Sequence, residues 1–330
     1  MIDQAVQLVF SDWLAAFFNP QKRVFWGYLF SSFLIALLWL LLIKGESFSH
    51  SVKQIFSPVS WLSKSAKADY VLMIINGAVM TLLSPRLLGK AAVASLIFSW
   101  LHELFNGRAL IETSFSSALI AIAFTLFLFV VDDFARYFLH RCLHKIPLLW
   151  AFHKVHHSAT SLNPFTVFRS HPVEAILFTI RGALVQGFCV ATFIFFFGDK
   201  VTLVVVLGAS IFTFLFNILG SNLRHSSVPI YYWKFVERIF ISPAQHHIHH
   251  SYASEHIDKN FGVVFSVWDL WFGSHCFSDK AEKLVYGLKV NQDKQHTLYA
   301  LYILPFKDSW STLKKYSFIT RDKSSKRYLQ

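Results

Sequence analysis

The sequence predicts an all-α fold, a polytopic bundle of membrane-spanning helices. Of its 330 residues, 54% are hydrophobic and only 15% are charged, a balance typical of integral membrane proteins. Several apolar runs also approach the roughly 20 residues that cross about 30 Å of hydrocarbon. These runs are Val24 to Ile43, Ser116 to Val131, Ile176 to Phe197 and Val201 to Leu219.

The N-terminal region carries weaker signals. The stretch "VQLVFSDWLAAFF" is typical of an interfacial amphipathic helix, and the acidic Asp3 and Asp12 argue against a cleaved signal peptide. Two apolar segments follow, Tyr70 to Leu83 and Ala91 to Phe105, separated by "SPRLLGK". Each is short for a crossing, so we expect a tilted hairpin or a re-entrant pair.

The net charge of +12 does not predict a nucleic-acid partner. Lys and Arg residues flank the apolar runs and fill the C-terminal "KKYSFITRDKSSKRYLQ", where anionic lipid headgroups attract them. The three cysteines form no CxxC pair, which excludes a cysteine metal site and a disulfide framework. Any metal site must therefore use histidine.

Eight histidines fall into three ordered groups with HxxxH, HxxHH and HxxHH spacing. They are His140 and His144; His153, His156 and His157; and His246, His249 and His250. Residues three or four apart share a helix face and can point at one ion, whereas adjacent residues point about 100° apart. Isolated histidines are better explained as interfacial polar tips, pH sensors or caps: His50, His102, His256, His275 and His296.

Eight ligands, with His225 in addition, exceed what one four- to six-coordinate metal uses, so the sequence predicts two metals. Imidazole accepts Zn, Cu, Ni and Fe, which leaves the ion open. A membrane hairpin of 176–197 and 201–219 would return "NLRH" and "QHHIHH" to the side of the first group. Lys and Arg are frequent on that side, which the positive-inside rule assigns to the cytoplasm. We therefore expect a cytosolic, histidine-rich di-metal cap.

The boxes "HRCLH", "HKVHH" and "HHIHH", followed by "NFG", "WD" and "FG", resemble the fatty acid hydroxylase/sterol desaturase superfamily over roughly residues 116 to 280. The resemblance implies an integral membrane enzyme with two iron ions and O2 as co-substrate, which hydroxylates an unactivated C–H bond of a fatty acyl, sterol or ether lipid. The implied iron ligands are the eight box histidines and His225. Many members have a histidine where this chain has Gly220, and His247 fills a variable position in the third box.

The same resemblance divides the chain into an N-terminal membrane region (1–112), a catalytic domain (113–280) and a basic cytosolic tail (281–330). A lipid desaturase of the sterol C5 type and a pterin-dependent ether-lipid monooxygenase use the same ligands and stay open as alternatives. A zinc-binding membrane transporter is less favoured, because the boxes lie beyond the apolar runs rather than within them. A zinc hydrolase lacks its HExxH motif here.

Electrons must come from a separate donor. The chain has no GxGxxG, no cysteine cluster and no recognisable haem-binding segment. A reductase, a cytochrome, a ferredoxin or a reduced pterin would serve.

Several polar residues are candidates for roles around the metals. In "RSHPVE", Pro172 and Glu174 are typical of a helix start, while His171 or Glu174 could also hydrogen-bond a ligand imidazole. Asp133 is either an outer carboxylate, a solvated cap or a partner of Arg136. Arg181 is expected to snorkel to the interface or to meet a substrate headgroup. Asp132, like Asp133, ends an apolar run, where a charge is costly unless it is paired or in contact with water. Weaker candidates for outer positions are Asn163, Thr166 and Asn222.

Overall fold

The computed structural model describes residues 14–87, 89–108, 114–207, 209–278, 284–289 and 292–325. The secondary structure of this part of the chain is helical, apart from two two-residue antiparallel strands and isolated bridges. The strands are β1 (Val205–Val206) and β2 (Ala209–Ser210), with Val205 opposite Ser210. The predicted all-α class is therefore confirmed. Of the predicted interfacial helix, residues 14–18 are helical and the rest lies outside the described residues.

Thirteen α-helices of four or more residues follow residue 25 in the described ranges. In chain order they are α1 (Trp26–Leu38), α2 (Phe48–Ile55), α3 (Pro58–Trp61), α4 (Lys64–Leu87), α5 (Lys90–Leu104), α6 (Ser117–Lys145), α7 (Pro147–His157), α8 (Pro172–Phe197), α9 (Ile211–Ile218), α10 (Lys234–Glu237), α11 (Pro243–His250), α12 (Val267–Trp271) and α13 (Leu304–Ser325). Trp39–Ile43 and Tyr299–Ile303 are π-helical, and Pro164–Phe168, Gly198–Lys200, Ser221–His225 and Gln292–His296 are 3-10 turns.

Four helical segments are long and apolar enough to cross a membrane: Trp26–Ile43, Lys64–Leu83, Ser117–Lys145 and Pro172–Phe197. Only 28% to 33% of the most apolar stretch of each is buried within the protein. Large apolar side chains such as Phe30 and Leu34 on α1 and Leu184 on α8 are exposed instead. Such faces are stable in contact with lipid and costly in contact with water.

The predicted span Val201 to Leu219 is wrong. Residues 201–204 are non-helical, β1 and β2 follow, and α9 has only eight residues, about 12 Å of helix. The run "VTLVVVL" is rich in β-branched residues, which favour extended backbone. Thr125 on α6 holds this segment by accepting a hydrogen bond from the Val204 amide at 3.0 Å. The chain therefore returns from α8 without a second spanning helix.

The segment Tyr70 to Leu83 is not a short element but the middle of the 24-residue α4. Polar residues at the start of this helix are paired inside the protein, which the sequence pattern did not reveal. Asp69 is fully buried and forms an ion pair of 2.9 Å with Arg169. The following segment forms α5, which has 15 residues and packs against α8.

The predicted C-terminal tail contains α13, which packs along α7. Leu301, just before α13, is buried against Leu72 of α4 and Val155 of α7. Lys154 of α7 also bonds the carboxylate of Asp308. The C-terminal region therefore braces a helix that carries three of the predicted ligands.

Two further apolar clusters position the histidines. Ala36 and Leu40 of the first helical segment pack with Leu223, which lies in the turn that ends at His225. Tyr137 of α6 packs with Phe261 and Trp268. The first cluster fixes the Ser221–His225 turn, and the second holds the chain after α11 against α6.

Candidate metal centre

The structure brings all nine predicted histidines together in two adjacent groups, within each of which the potential ligand atoms lie within 4.8 Å of one another. Group A consists of His140, His144, His153, His157 and His249. Group B consists of His156, His225, His246 and His250. That these residues bind metal stays a prediction, whereas their convergence is a feature of the fold.

Many of the predicted ligands lie at or near helix ends. His140 and His144 lie on the last two turns of α6, and Ile146 is extended, so that the chain turns into α7 at Pro147. Proline is favoured at a first helical position because its missing N–H needs no partner there. α11 begins the same way, with Pro243 after a reciprocal capping box between Ser242 and Gln245.

Adjacent histidines serve different groups, as the helical spacing predicted. His157 belongs to group A and His156 to group B; His249 belongs to group A and His250 to group B. A rotation of about 100° per residue separates each adjacent pair. α7 and α11 thus each contribute to both groups, which places the groups side by side.

The nitrogens of group B are too close together to be explained by hydrogen bonds alone. Nε2 of His225 lies 3.1 Å from Nε2 of His246, 3.1 Å from that of His250 and 3.3 Å from that of His156. A neutral imidazole has one donor, so these converging nitrogens cannot all be paired with one another. Four nitrogens arranged tetrahedrally at 2.0–2.1 Å from a metal lie roughly 3.3 Å apart. The donor set and its spacing therefore fit a metal ion.

Group A also contains closely spaced nitrogens that hydrogen bonds do not account for. Nε2 of His140 lies 3.2 Å from Nε2 of His153. The Nε2 atoms of His144, His157 and His249 are buried without a hydrogen-bond partner among the described residues. A buried polar atom without a partner costs about 1–3 kcal/mol, a penalty that a bound metal removes.

Backbone carbonyls orient three of the rings. Nδ1 of His140 donates to the Phe261 carbonyl at 2.8 Å, Nδ1 of His249 to the Lys259 carbonyl at 2.9 Å, and Nδ1 of His156 to the Arg169 carbonyl at 3.1 Å. A carbonyl only accepts, so the proton must be on Nδ1. The Nε2 lone pair then faces the group, as in metal sites generally.

Glu174 orients a fourth ring. Its Oε1 lies 3.1 Å from Nδ1 of His153, and both side chains are buried. His171 does not contact the groups: its Nδ1 accepts from the Val173 amide and caps α8, and its Nε2 donates to the Tyr302 carbonyl. Of the two candidates in "RSHPVE", Glu174 is the residue that touches a predicted ligand.

Burial keeps these imidazoles neutral. It lowers the pKa of His153 to about 3 and that of His156 to about 4, the latter with a smaller contribution from His153. Burial, followed by the neighbouring imidazoles and arginines, holds five more pKa values well below 6.5: those of His157, His225, His246, His249 and His250. A neutral imidazole is the form that ligates metal. His247 lies outside both groups; burial lowers its pKa to about 4, against the opposing effect of the Leu223 and Arg224 backbone.

The acidic residues of α6 have structural roles. Asp133 accepts hydrogen bonds from the amides of Val264 and Phe265 and from Nε1 of Trp268. It is therefore neither a partner of a predicted ligand nor a solvated cap. Asp132 forms ion pairs of 2.7 Å with both Arg136 and Arg181, so Arg181 is held inside the bundle and does not snorkel.

The remaining candidates also serve the scaffold. Asn163 and Thr166 both donate to Asp69, and Asn222 accepts from Arg23. Sequence reasoning missed the carbonyls of Phe261, Lys259 and Arg169, since a carbonyl has no residue identity to detect. It also missed the buried pair of Arg169 and Asp69, which are far apart in the sequence and so leave no local signal there.

Residues 125–274, which contain all nine histidines of groups A and B, match the family model described as fatty acid hydroxylase. Over this range the chain is similar to the fatty acid hydroxylase superfamily. The resemblance that the histidine boxes predicted over roughly residues 116 to 280 is thus confirmed.

Relatives of this chain include alkylglycerol monooxygenase from Homo sapiens, 27% identical over 249 residues, 74% of this chain and 49% of the relative. Alkylglycerol monooxygenase from Caenorhabditis elegans is 28% identical over 57% of this chain and 33% of its own length. Ornithine lipid hydroxylase OlsE from Rhizobium tropici is 25% identical over 44% and 39%. The chain thus spans about half or less of the length of these curated relatives. No solved structure matches it.

Proposed function

We propose that this chain is an integral membrane, di-iron, O2-dependent oxidoreductase that hydroxylates an unactivated C–H bond of a lipid. The observation that carries the proposal is the pair of adjacent, buried groups of neutral imidazoles within the family's matched range. The names of the relatives, an alkylglycerol monooxygenase and an ornithine lipid hydroxylase, support a lipid as the substrate. Four long apolar helices support a membrane location.

Groups A and B would each hold one iron. The bound irons would supply the activation of O2 that C–H oxidation requires. The protein's part is orientation and exclusion of water: the Phe261 carbonyl and Glu174 fix ligand rings of group A, and the Arg169 carbonyl fixes His156 in group B. The fully buried Tyr137 and Phe261 form an apolar wall beside group A, which limits access of water to a reactive oxidant.

An ether-linked glycerol lipid is the first substrate class to test, because several relatives are alkylglycerol monooxygenases. A fatty acyl or sterol substrate is the next. The electrons would come from a separate donor, which is a reductase, a cytochrome, a ferredoxin or a reduced pterin. We further propose that the histidine groups face the cytoplasm, on the positive-inside rule, with residues 113–280 as the catalytic domain.

The test is product analysis under 18O2. Iron-loaded protein in lipid nanodiscs would receive 1-O-hexadecylglycerol, palmitate or a sterol together with each class of electron donor. The proposal predicts a lipid that gains one 18O atom or, from the ether, the aldehyde that follows hydroxylation beside the ether oxygen. His153→Ala would abolish product, while His275→Ala, outside both groups, would retain it.

A product that loses two hydrogens and gains no 18O would favour a desaturase with the same site. Full activity of His153→Ala would contradict the proposal. Stoichiometric zinc in place of iron after iron-replete, anaerobic preparation would favour the transporter alternative.

A further inference from the structure

A cleft beside α9 combines an arginine-lined end with an apolar end. The polar end is a cavity of about 160 Å³ and the apolar end one of about 320 Å³. The two meet, since Phe129, Phe216, Arg224 and Val264 line both. We call the two together the arginine cleft. Its polar end is lined by Arg23, Asp132, Asp133, Arg136 and Arg224, and its apolar end by Phe212, Leu215, Leu219, Phe240 and Ile241.

The polar end has more cations than available counter-ions. Asp132 is already shared between Arg136 and Arg181, and both oxygens of Asp133 accept hydrogen bonds from the 264–268 segment. Among the described residues, no carboxylate lies within 4.0 Å of a guanidinium nitrogen of Arg23 or Arg224. Two arginines therefore face the cleft without an ion-pair partner in this part of the chain.

Both guanidiniums are fixed in place. Arg23 donates to Oδ1 of Asn222 at 3.2 Å and to the Ser221 carbonyl at 2.7 Å. Arg224 is buried, donates to the Val263 carbonyl at 2.9 Å and lies over the Phe216 ring. An anion entering the cleft would not need to order these side chains, a cost that otherwise weakens binding.

The surroundings of Arg23 also favour a bound anion. Burial, followed by the charges of Arg224 and Arg136, lowers the pKa of Arg23 well below its ordinary value. Clustered like charges at low dielectric are unfavourable, and a bound anion relieves them.

We propose that the arginine cleft binds a membrane lipid with a monoanionic phosphate or carboxylate headgroup, whose alkyl chain occupies the apolar end. A lipid is favoured over a soluble anion because the two cavities are joined. The apolar lining is also open to the surroundings: Leu215, Leu219 and Phe240 are 44%, 69% and 42% exposed. The site uses no histidine of groups A or B and so goes beyond the proposed function.

The test is a native mass spectrometry titration of the full-length, metal-loaded protein in detergent, with dioleoylphosphatidylglycerol and dioleoylphosphatidylcholine. These two probes share their chains and differ in headgroup charge. We expect at least tenfold tighter binding of the anionic lipid, because its phosphate charge is not offset, whereas the choline ammonium of the zwitterionic lipid offsets its phosphate and is repelled by the arginines. Arg23→Gln should weaken binding of the anionic lipid about tenfold and weaken binding of the zwitterionic lipid much less.

Three further variants serve as controls. Arg23→Lys retains the charge and should bind much as wild type does, which guards against simple misfolding. Leu219→Asn should weaken both lipids, and Arg238→Gln, an exposed arginine outside the cleft, should weaken neither. Iron content would be measured for every variant, so that loss of lipid binding and loss of the metal centre are separate readouts.

Two results would overturn the proposal. One is equal affinity of the wild type for the two lipids. The other is displacement of phosphatidylglycerol by inorganic phosphate at a similar concentration, which would identify a site for a soluble anion. A wild-type protein that binds no iron but still prefers phosphatidylglycerol would count against the proposed function and not against the lipid site.

Discussion

At the scale of single residues, a neighbouring position decides which group a histidine joins. His156 and His157 diverge into groups B and A, and their rings are held by different parts of the chain. The Arg169 carbonyl fixes His156, while Glu174 and the carbonyls of Phe261 and Lys259 fix rings of group A. The orientation of the ligand rings therefore depends on groups that contact the predicted ligands without binding metal themselves.

Glu174→Gln tests this dependence. The amide keeps the size of the side chain but replaces the carboxyl group whose Oε1 lies 3.1 Å from Nδ1 of His153. Removal of such a partner typically weakens metal affinity 10–100-fold. We expect faster loss of iron to a chelator, followed by absorbance of the chelate, with little change in unfolding temperature.

His171→Asn is the matched control. Asparagine also caps helices well, and His171 makes its contacts to the Val173 amide and the Tyr302 carbonyl rather than to either group. Its iron should be retained as in wild type. Equal chelator rates for Glu174→Gln and wild type would show that the contact with His153 has no role in metal retention.

The histidines were predictable one by one because their spacing is a property of the helix. His171 and Glu174 could not be separated from sequence, because both a cap and a ligand partner fit the start of α8. Arg169 escaped prediction for a different reason: it is buried only because Asp69, 100 positions away, pairs with it.

At the scale of elements, two aspartates fasten the segment after α11 to the bundle. Asp133 of α6 accepts the amides of Val264 and Phe265. Asp269 of α12 accepts the amides of Phe261 and Gly262 at 2.9 Å and 2.8 Å. The "NFG" and "WD" motifs are thus parts of one clamp, which also positions the Phe261 carbonyl for His140.

Asp269→Asn should loosen this clamp. The carboxylate accepts hydrogen bonds from two backbone amides and from Oγ of Ser274. Asparagine is uncharged and has a single acceptor oxygen, so it cannot replace all three of these hydrogen bonds. Hydrogen bonds to charged groups contribute about 1.5–3 kcal/mol, so we expect a lower unfolding temperature and faster iron loss.

Asp308→Asn serves as the control for that measurement. Asp308 pairs with Lys154 at a half-exposed position, and surface pairs contribute about 0–1 kcal/mol. Equal unfolding temperatures for the two variants would contradict the clamp.

Element prediction succeeded where hydrophobicity and helix periodicity agree, as in α6 and α8. It failed at residues 201–219, a run as apolar as a span, because its first part is rich in β-branched valines and threonine and is not helical, and only the eight residues of α9 form a helix. It also shortened α4, because the burial of Asp69 beside Arg169 and Asn163 depends on tertiary contacts. Hydropathy alone does not register such pairing.

At the scale of the whole molecule, the fold concentrates neutral histidines inside the protein, and this makes its stability depend on pH. The unfolded chain takes up protons on histidine near pH 6.5. In the folded protein, burial lowers the pKa of His153 to about 3 and the pKa values of His156 and His247 to about 4. Between these values the unfolded state binds more protons, so stability rises with pH.

We therefore expect the metal-free protein to lose stability as pH falls from about 6.5 to 4. Each such histidine contributes at most about 1.4 kcal/mol per pH unit. Thermal unfolding in detergent across this range is the measurement. His247→Asn, which removes one contribution without touching groups A or B, should make the slope shallower. A flat profile for the metal-free wild type would contradict the neutral, buried state of the groups.

Groups A and B are proposed to hold one iron each, and iron-57 Mössbauer spectroscopy combined with metal analysis measures both the number of irons and their coupling. We expect close to two coupled irons per chain in the wild type. His156→Ala and His157→Ala should each leave about one uncoupled iron, in group A and group B respectively, while His256→Ala should keep two. A single iron in the wild type, or two irons undiminished in both His156→Ala and His157→Ala, would contradict the proposed pair of iron sites.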